Sequence, residues 1–62
     1  MTMYKQFSYE GRELRIKLID NLLIEGTVLD DSQVDYMLIQ PTNFDSDPIE
    51  LMRQEIHLID EV

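Results

Sequence analysis

An alternation bracketed by two glycines limits what this chain can become. Gly11 precedes apolar residues at Leu14, Ile16 and Leu18, with Glu13, Arg15 and Lys17 between them. Period two is the signature of a half-buried strand. Asp20-Asn21 follows, and it can supply the positive φ that a tight hairpin needs, although Asn-Gly does so more readily. The next run, Leu22 to Leu29, places Leu22, Ile24 and Val28 on one face with Gly26 among them. Glycine inside a strand marks a bulge or a sharp bend. The other face carries Leu23, Glu25, Thr27 and Leu29, too apolar for a wholly solvated surface. An acidic loop, Asp30-Asp31-Ser32-Gln33, leads to a third strand from Val34 to Gln40, ended by Pro41. The expected core therefore comes from a meander of short, bent strands.

The two ends of the chain are less sharply marked. Tyr4, Phe7 and Tyr9 suit an extended or irregular segment, or a helical turn over the end of the domain; residues 1–10 are expected as an N-terminal strap or a short helix or strand. After a polar loop from Thr42 to Asp47, two patterns compete. Asp47-Pro48-Ile49-Glu50 has the acidic cap, proline and glutamate of a helix start, and Ile49, Met52, Ile56 and Ile59 recur at helical spacing. Two short strands, Ile49 to Met52 and Ile56 to Ile59, joined by a bend at Arg53-Gln54-Glu55, fit the same residues. Local pattern alone favours the helix.

With 62 residues the chain makes one domain, 1–62. A domain this small buries only about 60% of the surface its unfolded chain exposes. It has no cysteine, so no disulfide or thiolate metal site supplements the core. Closure into a barrel or oligomerisation would supply what is missing. No run approaches the roughly 20 apolar residues of a membrane span, and no leader peptide is visible. A cytoplasmic location and no membrane contact are the expectations.

The charge argues against an ordinary nucleic-acid binder. Thirteen acidic residues against five basic ones give a net charge of -8. Phosphate binding requires cations that displace counterions, and the one basic cluster, Arg12, Arg15 and Lys17, alternates along a strand whose polar face is expected to be solvated.

The first half resembles the Sm-like (LSm/Hfq-type) small β-barrel family. Its first motif runs from a glycine through three alternating apolar residues to a turn and a second glycine. Gly11, Leu14, Ile16, Leu18, Asn21 and Gly26 match that order, with Val28, Asp31, Val34 and Asp35 following it. Met52-Arg53-Gln54-Glu55-Ile56 is similar in spacing to the second motif of Hfq, a Tyr-Lys-His-Ala-Ile run. The resemblance implies a mainly β fold, a strongly bent antiparallel barrel of about five strands, and favours two strands after Pro48. The alternative is a three- or four-stranded meander with a C-terminal helix. It implies nucleic-acid contacts at Asp31, Val34, Asp35, Tyr36, Arg53 and Gln54. It also implies a homo-oligomeric ring in which the fifth strand pairs with the next subunit. Leu23, Leu29, Met37, Met52, Ile56, Leu58 and Ile59 are the candidate interface. Several departures fall on the RNA-reading positions. Asn21 replaces the turn glycine, the step from Gly26 to Asp31 is one residue short, Asp35 replaces a base-contacting Asn, and Gln54 stands where Hfq has His.

No catalytic constellation is visible. His57 is the lone histidine, and Ser8, Ser32 and Ser46 lack an evident base. Asp30, Asp31 and Asp35 lack the spacing of a calcium loop, so no metal and no cofactor is expected. The expected function is non-enzymatic: an oligomeric scaffold or RNA-associated adaptor. The alternative is an acidic protein-interaction module, or a nucleic-acid mimic, that binds a basic protein partner and no RNA.

Overall fold

The alternation from Glu13 becomes β1 (Glu13–Leu18), and it is followed by β2 (Leu23–Asp30), β3 (Tyr36–Pro41), β4 (Ile49–Met52) and β5 (Ile56–Glu61). The computed structural model describes residues 8–62. Tyr4, Phe7 and most of the expected N-terminal strap lie outside the described residues. All pairings are antiparallel, and the strand order is β4-β3-β2-β1-β5. One face of the sheet forms the core: Leu14, Ile16, Leu18, Ile24, Val28, Met37, Ile39 and Leu51, with Tyr9, Ile49, Ile56 and Ile59 packed against it. Leu22, expected on that face, precedes β2 and is exposed.

Positive φ angles fall where the turns need them. Gly11 has φ 82 and Asn21 has φ 72. At the first, Arg12 N–H donates to Tyr9 O at 2.9 Å. At the second, Asn21 N–H donates to Leu18 O and Leu18 N–H to Leu22 O, both at 2.9 Å. Asparagine enters the left-handed region more readily than other side chains.

Gly26 serves a different purpose. It lies between Leu14 of β1 and Pro41 of β3 in the register. A Cβ built there would meet Ile39 Cγ2 at 2.8 Å and press still harder on the Gln40 carbonyl oxygen. The absent side chain lets β3 cross close over β2.

The sheet does not close into a barrel, contrary to the expected Sm-like/SH3-like architecture. β4 pairs only with β3 and β5 only with β1, so both outer edges lack a ladder. Closure needs every strand paired on both sides with consistent tilt and stagger. The sheet is nonetheless far from flat. Five strands at about 4.8 Å spacing put flat edges roughly 19 Å apart. The three residues Arg53–Glu55 join those edges, and a 3-10 turn advances only about 2 Å per residue. The edges therefore approach at that end, but no hydrogen-bonded ladder joins them.

The alternative with a C-terminal helix is also overturned. Residues Ile49–Met52 and Ile56–Glu61 are strands, separated only by the short 3-10 turn. The helical spacing has a specific origin. Lys17 pairs with Leu58 and Leu18 with Ile56, which leaves His57 as an extra residue. Such a bulge resets the side-chain alternation, so Ile56 and Ile59 both turn toward the core at a spacing of three. A second register shift, between Val28 and Asp30, bends the far end of β2.

Gly26→Ala should destabilise the fold by about 3 kcal/mol, because the overpacked atom meets backbone as well as core. Gly11→Ala has open space around it and should cost only about 1 kcal/mol, for its left-handed backbone. Thermal unfolding followed by circular dichroism would compare them. Equal losses would mean that the close approach of β3 is not what glycine provides at position 26.

Candidate functional site

Asp31 organises the loop after β2. Its side chain is 5% exposed. One carboxylate oxygen accepts Tyr9 N–H at 2.9 Å, and the other accepts a hydrogen bond and ion pair from Arg53 Nη2. Arg53 also donates to Gln33 O from Nη2 at 2.7 Å and from Nε at 3.1 Å, and to Asp31 O from Nη2 at 3.2 Å. Its backbone N–H donates to Asp35 O at 2.9 Å. The guanidinium thus clamps the 31–35 loop onto the end of β4, since its planar fork of donors suits several oxygens at once.

The candidate nucleic-acid residues meet around this clamp. Val34, Asp35, Met52, Arg53 and Gln54 line one open cleft of about 360 Å³. Tyr36 does not line it; it is half-buried and pairs with Met52 in the sheet. Arg53 is spent on Asp31 and Gln33, and Asp35 adds negative charge. This cleft offers a phosphate no uncommitted cation.

Two of the other described cations are also paired with acids. Arg12 pairs with Glu61 at 2.5 Å and Arg15 with Glu25 at 2.9 Å. Among the described residues, Lys17 alone of the basic side chains has no ion pair. Three of the thirteen acidic residues take part in these pairs, and the other ten have no ion-pair partner among the described residues. The local charge balance therefore matches the global one.

Asp30 does not join Asp31 in a metal cluster. Its Oδ1 accepts from Ser32 Oγ at 2.6 Å and from Ser32 N–H at 2.9 Å. These bonds, the hydroxyl first, hold its carboxyl below the usual aspartate range. Among the described residues, no group of three or more His, Cys, Asp or Glu side chains is arranged to hold a metal.

The candidate interface residues scatter. Leu23, Leu29, Met52 and Leu58 are exposed, Ile56 and Ile59 are half-buried against the core, and Met37 is fully buried within it. Leu23 and Leu58 flank Lys17 in the register and line an outer-face groove with Arg15, Lys17 and Asp60. Met37 has no surface to offer a neighbour.

One arrangement was not apparent from the sequence. Ile19 N–H donates to Glu55 O at 2.9 Å, locking the β1–β2 turn against the 3-10 turn. Leu18, Ile19, Asp20 and Glu55 line the resulting notch. Asp20 had been legible only as a turn former, and Glu55 only as part of a bend. A separate case is Asn43, whose side-chain amide accepts from Glu25 N–H and donates to Leu23 O, both at 3.1 Å, in place of a strand partner.

No family model, curated protein or solved structure matches the chain. The Sm-like assignment is therefore corrected, and the nucleic-acid contacts expected from the resemblance lose the support it gave them. What remains is a small, mostly β domain of five antiparallel strands, open at both edges. The matched residues have local reasons of their own: Gly11 and Asn21 turn the chain, and Gly26 admits β3. Any hairpin bent in this manner makes the same demands.

Arg53→Met should destabilise the protein by about 1.5–3 kcal/mol, the usual worth of hydrogen bonds to a charged group. Arg53→Lys should recover little of it, because an ammonium cannot reproduce the fork. Urea unfolding measures both; full recovery by lysine would reduce the clamp to simple charge. The lowered Asp30 value has its own consequence. The folded-state pKa lies below the unfolded value of about 3.9, so its contribution is present above that pH and fades as pH falls through the folded value. Ser32→Ala should raise the Asp30 midpoint in a carboxyl carbon NMR titration. An unmoved midpoint would exclude the hydroxyl as its cause.

Proposed function

We propose that this chain is a non-catalytic, acidic interaction module that acts in the cytoplasm and binds a basic segment of another protein. The observation that carries this reading is the disposition of charge. Three of the four described cations are neutralised within the molecule, while ten carboxylates have no ion-pair partner among the described residues. A surface of one sign attracts the opposite one over several ångströms and speeds encounter with it. It repels phosphate, whose binding depends on cations, and three of the four described ones are already paired. Mimicry of nucleic acid toward a basic protein groove is one form of the same reading. Among the described residues, no helix is long and apolar enough to cross a membrane.

A second reading, self-association, draws on the two open edges. β4 and β5 each present one side without a ladder, and exposed edges invite pairing with another chain. Met52 on β4 and Leu58 on β5 add exposed apolar surface.

Fluorescence anisotropy with a ten-residue peptide containing five lysines, and with a mixed-sequence single-stranded oligonucleotide, tests the first reading. The peptide should bind with an affinity that falls as salt rises, and the oligonucleotide should not bind at about 50 mM salt. Oligonucleotide binding without peptide binding would overturn the reading. Light scattering on the same samples addresses the second: a discrete multi-subunit mass supports edge pairing, and a monomer across concentrations removes it.

A further inference from the structure

We propose that the notch between the β1–β2 turn and the 3-10 turn is a subsite for one lysine or arginine side chain of a basic partner segment. This rests on the acidic-module reading above and gives it a location. The notch combines two surfaces that such a side chain needs. Leu18 and Ile19 supply the apolar one, and Ile19 is 67% exposed although nothing in the fold requires an isoleucine to face water there. Asp20 and Glu55 supply the acidic one, and neither has an ion pair among the described residues. Long basic side chains lay their methylene stems on apolar surface and keep the charged head among polar groups. An ammonium or guanidinium whose stem runs along Ile19 ends in a notch lined by both acidic residues.

The site is preformed. Asp20 Oδ1 accepts Leu22 N–H at 3.0 Å, which fixes the side chain and leaves its other oxygen available. Asn21 N–H to Leu18 O closes the turn, and Ile19 N–H to Glu55 O ties the turn to the opposite wall. A partner side chain therefore enters without ordering the loops around it, which is the usual entropic obstacle to binding. The notch presents only two carboxylates, too few for a hard divalent cation, which takes six or more oxygens.

The other two clefts lack this combination. In the Val34–Gln54 cleft an arginine is already in place and clamped. The outer-face groove mixes Arg15 and Lys17 with Asp60. Among these three clefts and the described residues, the notch between the turns pairs acidic groups with exposed apolar surface and is lined by no cation.

The test uses the full chain and the five-lysine peptide at about 0.15 M salt, where the Debye length is about 8 Å. Amide shifts should concentrate at Ile19, Asp20, Glu55 and Ile56. Asp20→Asn with Glu55→Gln should weaken binding about three- to tenfold, as expected for two exposed ion pairs. Asparagine keeps the acceptor for Leu22 N–H. Glu13→Gln with Asp60→Asn removes the same charge roughly 13 Å or more along the strands, and should change affinity less than about twofold. Ile19→Ala, at an exposed position, should weaken binding about twofold or more without lowering the melting temperature. Equal losses in the two double variants, shifts spread evenly over the acidic surface, or an unaffected Ile19→Ala would each overturn the notch and leave the acidic-module reading standing. Absence of peptide binding to the unaltered protein would overturn both.

Discussion

The close passage of β3 over Gly26 is the constraint on which the rest of the sheet depends. At that point Leu14 of β1, Gly26 of β2 and Pro41 of β3 lie in one row. The missing Cβ makes room for Ile39, which joins Met37, Leu14, Ile16 and Ile24 in most of the buried core. A core this small has little excess stability, so a single side chain in the wrong place weighs heavily. The chain also leaves β3 immediately beyond this crossing. Thr42 N–H donates to Glu25 O at 2.7 Å, and the Asn43 side chain then satisfies Leu23 O and Glu25 N–H. The backbone of β2 is thus kept paired past the end of its partner strand, first by a loop amide and then by a side chain.

Charge follows from the same geometry. Pairing of Tyr36 with Met52 brings the 31–35 loop and the end of β4 together, and Arg53 is drawn into Asp31 and the Gln33 carbonyl. Arg12 and Arg15 find acids on neighbouring strands. Exposed pairs of this kind contribute little to stability. Their larger effect is on the surface: they remove positive charge from where a ligand would meet it and leave carboxylates in excess.

Much of the architecture was legible along the chain. Leu14, Ile16 and Leu18 alternate because β1 is half buried, and Asn21 turned where a positive φ was expected. The strand pair after Pro48 was legible only as one of two patterns. Its helical spacing was a bulge in disguise, because an extra residue at His57 sets Ile56 and Ile59 three apart on one face. Closure into a barrel was not legible at all. It depends on whether β4 and β5 pair across the gap, and no local pattern encodes that. The candidate site was partly legible: Val34, Asp35, Arg53 and Gln54 do share a cleft, but the clamp that occupies Arg53 joins residues far apart in the chain. The notch at Asp20 and Glu55 was hidden for the same reason.

By itself, the sequence determined the strands of the first hairpin, the turns that join them and the acidic character of the surface; the bend expected at Gly26 lies instead between Val28 and Asp30. Each rests on short-range sterics or on composition, and both can be read without knowing what lies alongside. Only the tertiary structure decided that the sheet stays open and, among the described residues, which cations are consumed and which carboxylates have no ion pair. Those outcomes turn on contacts between distant segments, where a register shift of one residue redirects side chains to the other face.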